Sequence, residues 1–411
     1  MATRSASWSR PVDARAWATA SLLGGLLFAA SWGLLHVGFW THDQIVDTPV
    51  YQTYGDQIVA GRVPYRDFRP EYPPAALAVF ALPSLAGESD YRTVFEWLML
   101  ACGLATVAGL VYALAAAGAT PRRLYGAAIL AGIAPLALGS VFLTRYDLWP
   151  AALVAGALAA LVAHRSRLGL ALLAVGTAAK LYPLALVPLA LVWVARRRGG
   201  REALGALAVF GVVLAAIVVP FAVVAPDGLW ESVERQTSRP LQLESLGASL
   251  LLAVDRVGLY SAHVVSTYGS QNLGGTAADL VAAVSTGLLA VAIAGVWVLF
   301  ARGRDTAGRL FVACAAVVAA FVALGKVLSP QFLIWLLPLV PLAAGTAGLL
   351  AAALFLAMLV LTQTWFPSRY WDLVALGPEV WLVVARNLAL LGLLVVLLRA
   401  LTRRVAAPRM R

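Results

Sequence analysis

Apolar stretches of about 17–25 residues, long enough to cross a bilayer as helices, recur along the chain. They lie at 16–38, 93–117, 124–143, 146–163, 202–224, 276–300, 308–325, 331–345, 347–364 and 380–400. The stretch 168–195 is longer and is interrupted by Lys180-Leu-Tyr-Pro183, which predicts two short helices meeting at a break. About twelve spans result, and the expected fold is an all-α polytopic membrane protein, with 1–411 as one membrane-embedded domain. The runs are continuous and rich in Ala, Leu and Val, whereas a transmembrane β-barrel would alternate. The first run is too long for a signal peptide and too many spans follow it.

The polar residues between the runs supply an orientation. Arginines cluster at 4/10/15, 122/123, 165/167, 196–198 with 201, 302/304/309 and 399/403/404/409/411. The positive-inside rule places these clusters in the cytoplasm, which accounts for 19 of the 31 cations, with Asp13, Glu202 and Asp305 as the only acids on that side. Both termini are then cytoplasmic and the connections alternate without conflict. Two long connections, 39–92 and 226–275, face outward, with shorter ones at 144–147, 180–183, 326–330 and 365–379.

Composition agrees. Only 12% of residues are charged and 61% are hydrophobic, with mean hydropathy +0.84; soluble domains carry about 25% charged residues. The net charge of +11 reflects topology rather than nucleic-acid binding. Cys102 and Cys314 sit inside apolar runs, and four scattered histidines form no zinc spacing. Phosphate-cradling and dinucleotide glycine motifs are absent, so no nucleotide cofactor and no metal are expected.

Chemistry-bearing residues concentrate on the outer side. In the first outer loop, Thr48-Pro49 is a helix start. Tyr51, Tyr54 and Ile58 then share one face, and Gly61 ends the turn. This predicts an interfacial helix on the outer leaflet, followed by a second, half-embedded one over 74–87. Asp47 falls just before the first helix. There it either complements the helix dipole or, kept ionised by that dipole, serves as a general base. Asp43 and Asp56 are weaker alternatives, and His42 is a second base or an interfacial hydrogen bonder. The run Pro64-Tyr-Arg-Asp-Phe-Arg-Pro-Glu-Tyr-Pro-Pro74 reads as a proline-braced turn with Arg66/Asp67 and Arg69/Glu71 as local ion pairs. With Glu71 and Tyr72 it also suits a surface holding a polar headgroup.

Of the cations, only Lys180 and Lys326 are lysines, and both fall on the outer face. A lysine there either snorkels to the membrane surface or, as a compact charge with three donors, binds phosphate. Arg145 lies at the same level, with Asp147 as its expected ion-pair partner. Arg239 and Glu244 in the second loop, Tyr182 at the break and Gln331 complete the candidate set.

Asp47-x-x-Val-Tyr, Gly61-x-x-Pro-Tyr-Arg-Asp-Phe, Glu71-Tyr-Pro-Pro, Lys180-Leu-Tyr-Pro and Ser329-Pro-Gln-Phe-x-x-Trp335 together resemble glycosyltransferase family 87. These are polyprenol-phosphate-mannose-dependent mannosyltransferases of GT-C fold. The resemblance spans about 40–340. It departs at Arg145-Tyr-Asp147, where many members carry Gly-Gln, which leaves the acceptor open. It implies a polyprenyl-phosphate sugar donor, a lipid or glycan acceptor, and Asp47 as catalytic base; the cations Lys180, Lys326 and Arg145, by their charge and level, are then expected on the donor phosphate. The competing classes are a secondary transporter or lipid flippase, for which the broken 168–195 hairpin is the best support, and a non-catalytic lipid-binding scaffold.

Overall fold

The computed structural model describes residues 14–42 and 44–402. Asp43 and the terminal cations Arg4, Arg10, Arg403, Arg404, Arg409 and Arg411, with Asp13, lie outside the described residues.

Among the described residues, seven helices are long and apolar enough to cross a membrane: Ala14–Leu34, Tyr91–Ala116, Gly200–Val224, Thr276–Arg302, Ala307–Leu324, Gly345–Gln363 and Val380–Thr402. Five further predicted runs are also present. Pro121–Leu138, Leu148–Val162 and Ser166–Ala179 are α-helices, and a 3-10 turn, Tyr182–Leu186, leads into the helix Val187–Arg198. The break at Lys180 is real: Ser166–Ala179 ends there, with Lys180 in extended backbone. Length follows position. Gly200–Val224 and Thr276–Arg302 are barely covered by protein, whereas Leu148–Val162 is apolar all round and buried along most of its length, as a central helix must be. Around it pack Tyr91–Ala116 and Ser166–Ala179.

The fifth run, 331–345, is not an α-helix. Its backbone forms two 3-10 turns, Pro330–Leu336 and Val340–Leu342, because Pro338 and Pro341 remove the N–H groups and sterically block an α-helix. Arg123 Nη2 donates to the Leu342 and Ala343 carbonyls at 2.8 and 3.1 Å, satisfying the end of this segment.

The segments predicted to share one side meet at one end of the bundle. Arg196 donates to Gly303, Arg198 to His164, and Arg197 pairs with Asp305. At the opposite end, the helices Thr48–Val59 and Pro74–Ser84 of the first loop pack together. They approach so closely at Gly55 that a Cβ there would overlap the Phe80 carbonyl and the Ser84 hydroxyl. Contrary to the expectation of a leaflet-facing helix, Tyr51 turns inward and is buried. The second loop holds the helices Pro226–Thr237 and Leu246–Arg256 and an unanticipated three-stranded antiparallel sheet. Its strands β1 (Leu241–Gln242) and β2 (Val264–Thr267) flank β3 (Ser270–Leu273). β2 and β3 turn at Tyr268-Gly269, both with positive φ, the twist a two-residue hairpin favours.

Candidate active site

Asp47 caps the start of Thr48–Val59 by position, yet its side chain bonds no helix N–H. Instead Oδ2 lies 3.1 Å from Arg145 Nε, an ion pair whose angle is not that of a straight hydrogen bond, and it accepts from Tyr51 Oη at 3.3 Å. The side chain of Arg145 is 5% exposed and that of Asp47 31%, so the carboxylate opens outward over a buried cation. Burial, with Tyr72 and Asp47 adding to it, pushes the Tyr51 phenol well above its ordinary value, so Tyr51 remains a proton donor to Asp47.

The expected Arg145–Asp147 pair does not form. Asp147, fully buried, instead takes Lys180 Nζ at 2.5 Å and Trp335 Nε1 at 2.6 Å, both on Oδ1. Its Oδ2 has no hydrogen-bond partner among the described residues. Arg145 occupies an extended residue between the one-turn helix Val141–Thr144 and the central helix Leu148–Val162, and from there its side chain reaches the first loop. Lys180 is thus not a bare cation. It is neutralised by Asp147 and boxed by rings, 4.4 Å from the Tyr146 centroid and 5.2 Å from that of Trp335. The charges of Asp47 and Arg145 still act on it, so two cations and two carboxylates share one neighbourhood.

Aromatic rings wall this cluster. Tyr51 stacks on Phe80 at 4.3 Å and meets Tyr72 and Tyr146 edge-on. Tyr182 stacks on Trp335 at 4.5 Å, and Phe332 stacks on its other side at 4.0 Å. Phe332 and Trp335 coincide because 3-10 geometry eclipses residues i and i+3. Tyr51, Tyr146 and Trp335 were not expected in the site. The Trp335 signal was present as the last residue of the Ser329–Trp335 motif.

The other candidates sit around this centre. Arg66 pairs with Asp67 as expected, at 2.8 Å, holding the Asp67 carboxyl down at about 2. Arg69 does not pair with Glu71: its Nε faces Glu231 at 3.6 Å, and the Glu71 carbonyl accepts from Gln236. His42 is exposed, with Nδ1 3.1 Å from the Gly38 carbonyl. Lys326 makes no ion pair among the described residues; its Nζ donates to the Thr237 carbonyl at 2.8 Å, and its own carbonyl accepts from Gln242. Gln331 is half-buried in the 3-10 turn.

Glu244 belongs to a separate buried group, on which the half-buried Arg239 acts electrostatically. Glu244 is buried; its carbonyl accepts from Arg386 Nη2 at 2.8 Å and Asn387 Nδ2 at 3.1 Å, and its carboxyl is pushed up to about 7 by burial. Arg239 Nε is buried without a hydrogen-bond partner. Arg386 and Asn387 lie within an apolar run and gave no sequence signal as partners. Tyr370 lies between the two groups electrostatically, feeling the charges of both Glu244 and Arg145. Among the described residues no cluster of His, Cys, Asp or Glu could hold a metal.

The family model described as Glycosyltransferase family 87 matches residues 71–330, a stretch containing Arg145, Asp147, Lys180 and Lys326 but beginning after Asp47. A crystal structure of ArnT from Cupriavidus metallidurans bound to undecaprenyl phosphate is similar at 16% identity. The match covers 95% of this chain and 78% of that one, with a TM-score of 0.48. No curated protein matches the chain.

Proposed function

Because the chain belongs to glycosyltransferase family 87, we propose that it moves a sugar, mannose by the resemblance, from a polyprenyl-phosphate donor to a hydroxyl of a lipid or glycan acceptor. The observation that supports this most directly is the half-open Asp47 carboxylate held over the buried Arg145 guanidinium. The family resemblance carries a GT-C fold and the prenyl-linked donor. The arginine pattern supports cytoplasmic termini with this site facing outward.

The mechanism follows from charge balance. Asp47 takes the acceptor hydroxyl proton, and the acceptor oxygen forms a bond to the anomeric carbon from the face opposite the phosphate. The bond from that carbon to the phosphate oxygen breaks, its electron pair leaving with the polyprenyl phosphate. One displacement inverts the anomeric centre. Asp47, Arg145, Asp147 and Lys180 sum to zero charge beforehand. Once Asp47 is protonated the set is left one positive charge in excess, as the leaving phosphate gains one negative charge. Fixed charges that match charge developing in the transition state lower its energy. Arg145 and Lys180 supply that field, with Lys326 as a further cation on the donor phosphate.

Purified protein in nanodiscs, given radiolabelled polyprenyl-phosphate mannose and a panel of lipid and glycan acceptors, tests this. Asp47→Asn should lose turnover by roughly 10²–10⁴-fold while remaining folded. Arg145→Lys should lose activity despite its retained charge, because a lysine cannot reproduce the guanidinium fork. A folded Asp47→Asn protein that turns over at the wild-type rate would overturn the assignment of the base.

A further inference from the structure

The segments just before Asp47 and just before Arg145 in sequence build a cleft with a third segment. Residues around 39–42, the Gly139-Ser140 turn and the segment after Gly345–Gln363 enclose about 130 Å³, lined by Phe39, Trp40, His42, Ser140, Gln363 and Ser368. Its floor is specific. Gly139 has φ +75°, and a Cβ there would overlap the Gln363 amide oxygen, so only glycine lets that amide lie against the turn. The Ser140 carbonyl accepts from Thr144 Oγ1 at 3.1 Å, and Arg145 is the next residue. His42 precedes Asp47 by five positions on the other wall.

We infer that this cleft, built by segments that lead in sequence to Asp47 and Arg145, seats one neutral sugar ring of the transfer reaction. The inference deepens the glycosyltransferase reading and rests on it. Three observations point to a sugar. A space of about 130 Å³ is several times what one water needs and is on the scale of a single small ring, not of an extended lipid chain. No Arg, Lys, Asp or Glu lines it among the described residues, so a phosphate would find no counter-charge there. The lining also combines apolar and two-sided polar character. Phe39 and Trp40 meet edge-on at 6.1 Å and offer ring faces to sugar C–H groups, while Ser140 and Ser368 offer hydroxyls. Trp40 Nε1, a donor, and Gln363 Oε1, an acceptor, are buried without hydrogen-bond partners. Unpaired buried polar atoms are costly. A sugar hydroxyl, donor and acceptor at once, satisfies either one after a small side-chain rotation.

The chemistry is shared by two sources, the donor's sugar and the acceptor's terminal sugar. The experiment uses the full chain in nanodiscs with diazirine-tagged mannopyranoside, glucopyranoside and arabinofuranoside, and maps crosslinks by mass spectrometry. At least one probe should label 39–42 and 363–368, and the untagged glycoside should compete. Ser368→Trp, which fills the cleft from an exposed position, should cut that labelling by about tenfold or more; Asp47→Asn should keep it. In turnover, Ser368→Trp should raise one KM, the donor's or the acceptor's, and which one rises identifies the source. No labelling of either segment by any probe, or labelling and both KM values unchanged in a folded Ser368→Trp protein, overturns the cleft. A fully active Asp47→Asn protein overturns the catalytic reading instead, and the labelling still decides the cleft.

Discussion

Removing Lys180 should damage the protein more than removing Lys180 and Asp147 together. Asp147 has no exposed side-chain surface, and its two hydrogen-bond donors, Lys180 and Trp335, converge on one oxygen. Lys180→Met leaves a buried carboxylate facing one indole N–H. Breaking a buried pair from one side costs roughly 3–5 kcal/mol, which shifts the unfolding equilibrium by more than about a hundredfold. Asp147→Asn should cost less. Its amide oxygen still accepts from Trp335, and Lys180, 16% exposed, keeps water and the Tyr146 face, worth roughly 0.5–2 kcal/mol. The double substitution removes both charges and should fall within about 2 kcal/mol of wild type, since an apolar replacement of a whole buried pair is often neutral. Unfolding in mixed micelles by added SDS, followed by circular dichroism, gives the three differences and their coupling. If Lys180→Met sits within about 1 kcal/mol of wild type, or if the double variant is the least stable, the two residues are not a mutually dependent pair.

Two further outcomes follow from the two long loops. The Glu244 carboxyl rises from its ordinary 4.5 to about 7 on burial, so the folded state holds a proton that the unfolded state has released across that window. The contribution of Glu244 to stability is therefore fully present below about pH 4.5 and falls by roughly 3 kcal/mol as pH rises through 7; the difference between unfolding midpoints at pH 5.5 and 8 should shrink in Glu244→Gln. Gly55→Ala should force the two first-loop helices apart, costing roughly 1–3 kcal/mol and lowering turnover, and thermal unfolding with a parallel activity assay reads both.

Much of this architecture could be read from hydropathy alone, because span length and arginine placement are set by the bilayer rather than by tertiary detail. The Lys180 break was visible for the same reason. The 331–345 run misled because its apolar length outweighed Pro338 and Pro341, which already argued against an α-helix. Pairing was less legible. Neighbourhood in sequence suggested Arg145 with Asp147 and Arg69 with Glu71, but each arginine's side chain reaches elsewhere, to Asp47 and Glu231. The aromatics of the Thr48–Val59 helix were visible as a face. That the face turns toward Phe80 and Tyr146 depends on the close approach at Gly55, which only the folded chain reveals. The Glu244–Arg386 contact joins positions 142 residues apart, beyond any local signal.

The 3-10 character of Pro330–Leu336 bears on which length changes the chain tolerates. Each residue in such a turn advances the side-chain direction by roughly a third of a rotation. A one-residue insertion or deletion between Ser329 and Trp335 would therefore swing the indole off Asp147 and unstack it from Phe332 and Tyr182. The same change in the exposed Val257–Leu259 stretch of the second loop would be absorbed locally. Natural variants of this protein should differ freely in length there and keep the seven-residue interval from Ser329 to Trp335 unchanged.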